Sequence, residues 1–513
     1  MLNQFEDEVL KEIAFPENFR FGISMSGFQF EMGCSIEAID ENSDWWIWVH
    51  DPFNIGLGIV SGDLPEHGAG YWDLYRKDHE LMLSLNIDSV RVGIEWSRIF
   101  PKPTFDIGVE VREENGNITE VVISKSTIEE LRNIANEEAL NHYRAILEDL
   151  KSKGLRVMVC LNHFTLPKWL HNPIELRLFG LNSPRNGWLN KRSIVEFVKY
   201  VGFVAYNLKD LVDEWAVFNE PRAVMYEGFL KPNSGFPPRV ISYKSYLTGM
   251  VNLAEAHARA YDVLKSIDPL KPVGIIYDIL LTEPLNENDA EASENAMYFY
   301  NWWFLDAIIK GEYSRGFSGK WIIYRKDLAG KADWIGVNYY SRLVVRKNRP
   351  WFSGESLLNW KIVKGYGFES APKSKTKAGN PTSDMGWEIY PQGLRKVLSK
   401  VYARYKLPII ITENGVADSE DKLRPYVITS HLNEIHKAII EDHVNVLGYY
   451  HWSIMDNYEW AHGYSMKYGL YEVNFQTKER RPRHSAKLYS KIVSDRKVLI
   501  LWHRTTSSFK LHL

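Results

Sequence analysis

The chain has 513 residues, of which 45% are hydrophobic and 25% are charged, and its formal net charge is −3. This composition gives ample material for a large core and an ordinary polar surface. Lys and Arg are interspersed with Asp and Glu along the chain, whereas a nucleic-acid partner would require a concentrated basic face. The composition therefore excludes nucleic acid as an expected partner.

Compartment and membrane contact can also be judged from the sequence. Only two cysteines are present, Cys34 and Cys160, so no disulfide framework supports the fold and a reducing compartment is expected. Residues 1–12 carry four acids and no apolar block, unlike a secretory signal. No window reaches the roughly 18 uninterrupted apolar residues of a membrane span. We therefore expect a cytoplasmic protein without a membrane partner.

Short apolar runs alternate with longer amphipathic segments along the chain. Eight runs are typical of buried β-strands, and they lie at residues 19–24, 87–94, 155–161, 212–219, 272–277, 332–339, 408–412 and 445–452. Segments with helical spacing of apolar residues lie at 71–85, 127–153, 195–208, 246–267, 301–309, 394–405 and 427–441. Alternating strands and helices form a parallel sheet, and eight such units close into a barrel. The predicted fold class is therefore α/β, a single (β/α)8 TIM barrel.

Two stretches do not fit this alternation. Residues 101–125 and 346–384 are rich in polar, Gly or Pro residues, and we interpret both as loop insertions that shape a cavity mouth or a subunit contact. No stretch has the composition of a linker. Although the length alone would suggest about three domains, α/β barrels are commonly longer than a typical single domain. We therefore predict one domain over residues 1–513.

Two acids occupy similar places at strand ends. Glu413 ends the apolar run 409–412 and is followed by Asn-Gly, a turn signal, and Glu220 ends the run 215–219. A buried carboxylate is costly unless something pairs with it. Taken alone, Glu413 fits a structural ion pair at least as well as a working site. The second acid in the same kind of place favours chemistry that uses paired acids.

Catalysis in a barrel of this type takes place where the strands end at their carboxyl side. The side chains predicted there are two acids, hydrogen-bonding groups and aromatic rings, namely Gln29, Arg91, His163, Asn219, Glu220, Asn338, Tyr340, Glu413 and Trp452. The chain lacks a phosphate-binding Gly-rich loop, a helical His-x-x-x-His metal pair and a Ser nucleophile elbow. Two facing carboxylates among hydroxyl-binding groups suit cleavage of a glycosidic bond.

Eight motifs resemble, in order, those of glycoside hydrolase family 1. They lie at residues 19–33, 91–98, 161–164, 218–221, 338–340, 409–417, 451–453 and 456–460. The resemblance extends from about residue 15 to about residue 495, and the long insertions are similar to those of the archaeal β-glycosidases of this family. Chance agreement of all eight motifs is implausible.

The resemblance implies a role for each catalytic position. Glu413 matches the nucleophile and Glu220 the general acid and base of a double displacement that retains the anomeric configuration. Arg91 and Tyr340 are expected beside Glu413, where they would keep it ionised, and Asn338 belongs to the same catalytic group. Glu220 needs the opposite treatment, a pKa raised by burial near a second negative charge.

Sugar binding in the family falls to a second group of positions. By resemblance these are Gln29, His163, Asn219, Glu459 and Trp460, with Trp452 as an apolar floor. Each has an alternative explanation, because a buried polar group can simply satisfy the backbone and a tryptophan can simply pack. Trp387 is expected either on the leaving-group side or in the core.

The resemblance implies an exo-acting, retaining β-glycosidase that hydrolyses β-D-glucosides and also β-D-galactosides through a covalent glycosyl-enzyme. The alternative within the family is a β-mannosidase. A distant alternative is a non-catalytic sugar-binding barrel, but such a protein is expected to lose one of the two acids. No metal and no cofactor are expected. The expected partners are small β-glycosides or oligosaccharides, and the resemblance also favours a homo-oligomer, a tetramer, which the composition does not establish.

Overall fold

A computed structural model describes residues 8–348 and 358–503 of the chain. Its strands are β1 Glu8–Ala14, β2 Arg20–Ser24, β3 Ser89–Gly93, β4 Glu110–Glu114, β5 Asn117–Val122, β6 Arg156–Cys160, β7 Glu214–Asn219, β8 Val273–Asp278, β9 Leu281–Pro284, β10 Glu312–Ser314, β11 Ile322–Tyr324, β12 Trp334–Asn338, β13 Arg342–Lys347, β14 Trp360–Ile362, β15 Ile409–Asn414, β16 Val446–His451, β17 Tyr471–Val473, β18 Arg480–Pro482 and β19 Lys497–His503.

The α-helices are α1 Gly27–Phe30, α2 Asp44–His50, α3 Pro52–Gly56, α4 Tyr71–Ser84, α5 Trp96–Ile99, α6 Lys125–Arg132, α7 Glu137–Ser152, α8 Pro173–Phe179, α9 Arg192–Leu208, α10 Pro221–Phe229, α11 Tyr243–Ile267, α12 Ala290–Met297, α13 Trp303–Lys310, α14 Pro391–Tyr405, α15 Arg424–Ile440 and α16 His484–Asp495. A π-helical turn lies at Tyr298–Trp302, and 3₁₀ turns lie at Pro65–His67, Gly187–Leu189, Glu287–Asp289, Lys326–Leu328, Gly367–Glu369 and Trp460–His462.

Eight parallel strands close into a barrel. Their order around the ring is β2, β3, β6, β7, β8, β12, β15 and β16, with β16 pairing back to β2. Every residue of β7, β8 and β15 is buried, because one face of each strand lies in the barrel interior and the other faces the helices. The predicted (β/α)8 barrel is confirmed. Its strands all point the same way, so their carboxyl ends meet at one rim.

The barrel interior below that rim is a packed core and not a pore. Residues from six neighbouring strands of the ring fill it, namely Met158, Cys160, Ala216, Ile276, Trp334, Ile410 and Tyr450. Near the opposite end of the barrel, Arg20 donates from Nη1 to both carboxylate oxygens of Glu214 at 2.9 and 3.0 Å. The filled interior means that a ligand can enter the barrel only at the carboxyl rim.

The structure differs from the predicted elements in three places. The single helix expected at 127–153 is wrong: α6 and α7 replace it, and Asn136 caps α7 by accepting a hydrogen bond from Ala139 N at 3.1 Å. The apolar spacing continues across this break, which hid it. The helix expected at 301–309 is part of the longer run α12, π-turn and α13. Strands β1 and β19, which the sequence did not predict, pair with each other in antiparallel fashion near the two ends of the described chain.

The two stretches interpreted as insertions lie in different places. Residues 101–125 contain the β4–β5 hairpin, and Ile118 of β5 is anchored to α11: its N donates to Glu255 Oε2 at 3.1 Å and its O accepts from Arg259 Nη1 at 3.1 Å. This hairpin therefore packs on the helices outside the barrel. Of 346–384, residues 349–357 lie outside the described residues. In the described part, β14 pairs with β13, and Ile362 and Phe368 reach the carboxyl rim of the barrel.

Candidate active site

Most of the predicted site residues sit at or just beyond the carboxyl ends of barrel strands. Each strand is apolar along its length, where it crosses the core, and becomes polar where it reaches the rim. Arg91 lies on β3, Asn219 ends β7, Asn338 ends β12 and Glu413 is the last residue but one of β15. The segments that follow the strands carry the others, namely Gln29, His163, Glu220, Tyr340, Trp452, Glu459 and Trp460.

These side chains surround one cavity of about 600 Å³ at the carboxyl rim. Eleven of the twelve predicted site residues line it, including Trp387 from the stretch that precedes α14. The twelfth, Arg91, is fully buried directly beneath Glu413. The structure thus brings together every residue that the sequence analysis named for the site.

Glu413 is held by two donors. Arg91 donates from Nη2 to Glu413 Oε1 at 2.7 Å, and the Tyr340 hydroxyl donates to Glu413 Oε2 at 2.7 Å. Glu413 as a whole is only 4% exposed. Burial and the neighbouring charge of Glu413 raise the pKa of Tyr340 well above its usual value, so its hydroxyl keeps the proton that it donates. Both contacts stabilise the negative charge of Glu413.

Glu220 lies between β7 and α10 in an environment of the opposite kind. Its backbone is left-handed, with φ 49°, and Pro221 begins the helix immediately after it. Such a conformation costs about 1–3 kcal/mol for a residue other than glycine, and it turns the side chain into the cavity. Burial, followed by the negative charge of Glu413, raises the pKa of Glu220 to about 8, against a smaller opposing effect of the hydrogen bond from Asn338.

Three side chains link the two acids. Asn338 Nδ2 donates to Glu220 Oε1 at 2.6 Å and to Asn219 Oδ1 at 3.0 Å, and Arg91 Nη1 donates to the same Asn219 oxygen at 3.0 Å. Arg91 then reaches Glu413 through Nη2. Asn338 is itself oriented by Thr412, whose hydroxyl donates to Asn338 Oδ1 at 2.7 Å. This network fixes which atoms of Asn219 and Asn338 face the cavity.

A second polar group lies on the β2 and β16 side of the cavity. Gln29 Nε2 donates to Glu459 Oε2 at 3.2 Å and to Asn457 Oδ1 at 3.2 Å. Burial and the charges of Glu413 and Glu220 raise the pKa of Glu459 to about 8, against the smaller effect of the Gln29 bond. This side of the cavity therefore offers amide and carboxyl groups that can hold sugar hydroxyls.

Aromatic rings close the same side. His163 stacks between Trp452 and Trp460, with ring centroids 6.0 and 5.8 Å away. Burial and the charge of Arg91 lower the pKa of His163 well below its usual value, so the ring is neutral and one of its nitrogens can accept a hydrogen bond. Flat apolar faces beside hydrogen-bonding edges match the surface of a sugar ring.

The sequence analysis missed several residues of the cavity wall. Arg222 and Asp278 form an ion pair there, and Tyr226 and Tyr300 lie beside them. A signal existed for Arg222, which stands two residues after Glu220 and directly after the matched motif 218–221. Asp278 is the last residue of β8, and the predicted strand stopped one residue earlier.

Within residues 8–348 and 358–503, no group of three or more His, Cys, Asp or Glu side chains is arranged to hold a metal ion. The helices in those ranges include none that is both long enough and apolar enough to cross a membrane.

Comparison with known proteins identifies the family. The model of glycosyl hydrolase family 1 matches residues 11–109 and 131–498. The chain belongs to glycosyl hydrolase family 1. The match omits residues 110–130, which contain the whole β4–β5 hairpin. The resemblance inferred from the eight motifs is thus confirmed.

Relatives within family 1 cover nearly the whole chain. A β-galactosidase of Pyrococcus woesei is 45% identical over 94% of this chain and 97% of its own length. The β-glycosidase of the hyperthermophile Thermosphaera aggregans has a similar structure, with a TM-score of 0.89 and 43% identity over 95% of this chain and 98% of its own. A β-glucosidase mutant derived from a hyperthermophilic tetrameric structure has a TM-score of 0.86 and is 44% identical over 94% of this chain and 96% of its own.

Membership of family 1 establishes the reaction class. The protein is an O-glycosyl hydrolase, and retention of the anomeric configuration is general in this family. The prediction of a retaining β-glycosidase is therefore confirmed at the level of the family.

Proposed function

We propose that the protein is an exo-acting β-glycosidase that releases glucose, and also galactose, from short or aryl β-glycosides, with Glu413 as nucleophile and Glu220 as general acid and base. The observation that supports these roles is that the two carboxyl groups have opposite electrostatic environments. Arg91 and Tyr340 both donate to Glu413, whereas the pKa of Glu220 is raised to about 8. One acid is thus suited to attack and the other to donate a proton at neutral pH.

In the first step, a carboxylate oxygen of Glu413 attacks the anomeric carbon while Glu220 gives its proton to the glycosidic oxygen. The bond between the anomeric carbon and that oxygen breaks, and the leaving group departs as a neutral alcohol. Glu413 then carries the sugar as an ester. Its negative charge, the second cause of the raised pKa of Glu220, is gone, so the pKa of Glu220 falls and the residue is ready to act as a base.

In the second step, the carboxylate of Glu220 takes a proton from water, and the water oxygen attacks the anomeric carbon. The ester bond to Glu413 breaks, which restores both carboxyl groups and releases the sugar with its original configuration. Arg91 stabilises the departing carboxylate of Glu413 in this step, just as it stabilises the free carboxylate beforehand.

The polar group around Gln29 and Glu459 supports recognition of a terminal, unphosphorylated sugar. We infer that Gln29 and Glu459 bind the 4- and 6-hydroxyl groups, because an amide and a carboxyl group can hydrogen-bond to hydroxyls but offer no positive charge to a phosphate. Asn219 and His163, beside the acids, would bind the hydroxyls nearer the anomeric carbon, and Trp452 would form the floor under the ring. The name of the Pyrococcus woesei relative, a β-galactosidase, agrees with galactosides as substrates, and that of the β-glucosidase mutant agrees with glucosides.

The test is to compare the hydrolysis of nitrophenyl β-glucoside, β-galactoside and β-mannoside. We expect kcat/KM to be highest for the glucoside or galactoside. A mannoside hydrolysed fastest would show that the site accepts an axial 2-hydroxyl and would favour the β-mannosidase alternative. Absence of hydrolysis of all three would instead favour a sugar-binding barrel without catalysis.

We further propose that residues 1–513 act as one domain and assemble into a homo-oligomer. The support for assembly is the relative derived from a tetrameric structure. Light scattering coupled to size-exclusion chromatography would give the mass, expected near four times the 59.6 kDa of the chain, and a mass of one chain would contradict it. The cytoplasmic location stays a prediction.

A further inference from the structure

A buried ion pair lies in the cavity wall without a part in the two-step reaction. Arg222 stands in the first turn of α10, two residues after Glu220, and Asp278 is the last residue of β8. Arg222 Nη2 contacts Asp278 Oδ2. The two residues are 3% and 9% exposed, and both line the cavity. Burying two charges beside a ligand cavity is costly, so the pair calls for an explanation.

The position of the pair identifies the part of the substrate that it faces. β8 lies four strands from β2 in either direction around the ring, so Asp278 is across the barrel from Gln29, which follows β2. Gln29 and Glu459 were assigned to the terminal sugar. The general acid protonates the leaving-group oxygen, so the leaving group must lie beside Glu220. Arg222 belongs to the turn that begins at Glu220, which places the pair on the leaving-group side.

The pair is also incomplete in its hydrogen bonds. Among the described residues, neither Arg222 Nε nor Asp278 Oδ1 has a hydrogen-bond partner, although both atoms are buried. An unpaired Nε also occurs in other buried arginine pairs, such as those of Arg259 and Arg424, so the distinguishing atom is Asp278 Oδ1, a buried carboxylate oxygen that is costly to leave without a donor. The guanidinium group is instead held by two rings, with its Cζ 5.5 Å from the Tyr226 centroid and 5.3 Å from the Tyr300 centroid. The pair is therefore held in a fixed position, while Arg222 Nε and Asp278 Oδ1 can still make hydrogen bonds to a ligand.

The other residues of the cavity wall indicate which kind of leaving group fits beside the pair. Phe368, Met385 and Trp387 line the same cavity and supply apolar surface. The pair itself is neutral overall, and Glu227 and Lys231, which also line the cavity, pair with each other at 3.0 Å, so this part of the wall offers no uncompensated charge to a charged leaving group. A ligand that has apolar faces, several hydroxyl groups and no charge fits these surroundings. A second sugar unit has these properties, whereas an aryl group offers no hydroxyls to the pair.

We propose that Arg222 and Asp278 determine leaving-group specificity by binding hydroxyl groups of a neutral second sugar, so that the preferred substrates are β-linked disaccharides and short oligosaccharides. This inference rests on the proposed function, because it takes Glu220 as the acid that protonates the leaving group. Arg222 supplies the donors and Asp278 the acceptors, and each keeps the other in place.

The experiment measures the ratio of two kcat/KM values, one for a β-1,4-linked glucose disaccharide and one for nitrophenyl β-glucoside. Both substrates give the same glycosyl-enzyme, so the ratio reports only on the leaving group. In the double variant Arg222→Gln/Asp278→Asn, which keeps size and polarity but removes both charges, we expect the ratio to fall about 10-fold or more, as for loss of a hydrogen bond to a charged group.

The matched control is the double variant Arg480→Gln/Asp78→Asn. Arg480 Nε donates to Asp78 Oδ1 at 2.8 Å, the pair is similarly buried, and neither residue lines the cavity. We expect this variant to lose stability but to keep the wild-type ratio. If the Arg222 double variant does not fold, the single variant Arg222→Lys tests the proposal instead. It retains the positive charge but loses the planar donor geometry, so its kcat/KM ratio is expected to fall as well.

Three outcomes are distinct. A wild-type ratio in Arg222→Gln/Asp278→Asn or, where that protein does not fold, in Arg222→Lys, would show a structural pair only and overturn the inference, while the proposed function would stand. An equal fall in the Arg480 control would also overturn it, since the effect would then be one of stability. Wild-type protein that hydrolyses neither substrate would refute the proposed function itself.

Discussion

Arg91 donates to Glu413 across 2.7 Å, although the arginine side chain has no exposure to solvent. The same guanidinium reaches Asn219 through Nη1, so one buried cation orients both the carboxylate of β15 and the amide at the end of β7. The stability of this pair and the chemistry of the site are linked, because removal of either partner leaves the other charge buried and unpaired. Such a loss costs about 3–5 kcal/mol.

The first prediction concerns Glu413→Gln. The amide cannot attack the anomeric carbon, so we expect turnover of nitrophenyl β-glucoside to fall on the order of 10³-fold or more. The free energy of unfolding should also fall, because Arg91 loses its anionic partner. The measurements are steady-state rates and thermal unfolding of the same preparations.

Glu388→Gln is the matched control for this variant. Glu388 is buried and accepts from Arg342 Nε and Nη2 at 2.9 Å, but it does not line the cavity. We expect it to lower stability while the folded protein keeps its specific activity. Unchanged turnover in Glu413→Gln would remove Glu413 from the role of nucleophile.

The second prediction concerns Tyr340→Phe, which deletes the other donor to Glu413. A hydrogen bond to a charged group contributes about 1.5–3 kcal/mol, so kcat/KM should fall about 10- to 100-fold. Tyr339→Phe is the control: its hydroxyl donates to Tyr390 O at 2.7 Å, away from Glu413. An equal fall of kcat/KM in both variants would contradict this account.

The barrel and most of the site could be predicted because their signals are local. An apolar run that ends in Glu413 marks a strand end, and repetition of that pattern eight times predicts the ring. The Arg222–Asp278 pair has no such signal, because it depends on two elements, α10 and β8, that meet only in the closed barrel. The break between α6 and α7 was hidden because the local apolar period continues through it. The start of α7 is set instead by the Asn136 cap.

The third prediction is the alkaline limb of the pH profile. Hydrolysis requires protonated Glu220, whose pKa is about 8, so kcat/KM for a disaccharide should decline as pH rises through about 8. In Asp278→Asn the positive charge of Arg222 is no longer balanced. It lowers the pKa of Glu220 further, and the limb should move to lower pH.

The control for this pH shift is a second substrate with a different leaving group. An aryl glycoside with an acidic phenol as leaving group needs little protonation by Glu220, so its alkaline limb should be weaker in the wild type and should move less in Asp278→Asn. Equal shifts for both kinds of substrate would point to another titrating group, and Glu459, whose pKa is also about 8, would be the first to test.

The last prediction concerns stability and Glu95, a buried acid outside the cavity. Its Oε1 accepts from Phe28 N at 2.9 Å and its Oε2 from the Thr165 hydroxyl at 2.5 Å, which ties α1 to the loop after β6. Burial and the charge of Glu31 raise the pKa of Glu95 from 4.5 to about 8. The folded protein therefore holds this proton at pH values where the unfolded chain releases it, so stability falls as pH rises from about 4.5 to about 8 and then levels off.

Glu95→Gln removes this titration. We expect the Tm of the wild type, relative to that of Glu95→Gln, to decline between about pH 5 and pH 8, while the contributions of Glu220 and Glu459 cancel in the difference. Glu388→Gln gives the opposite case, because Arg342 and other donors outweigh burial and lower the pKa of Glu388. Its Tm difference from the wild type should stay constant above about pH 5 and shrink only in acid. A difference for Glu95→Gln that does not change with pH would show that the folded protein holds Glu95 ionised throughout.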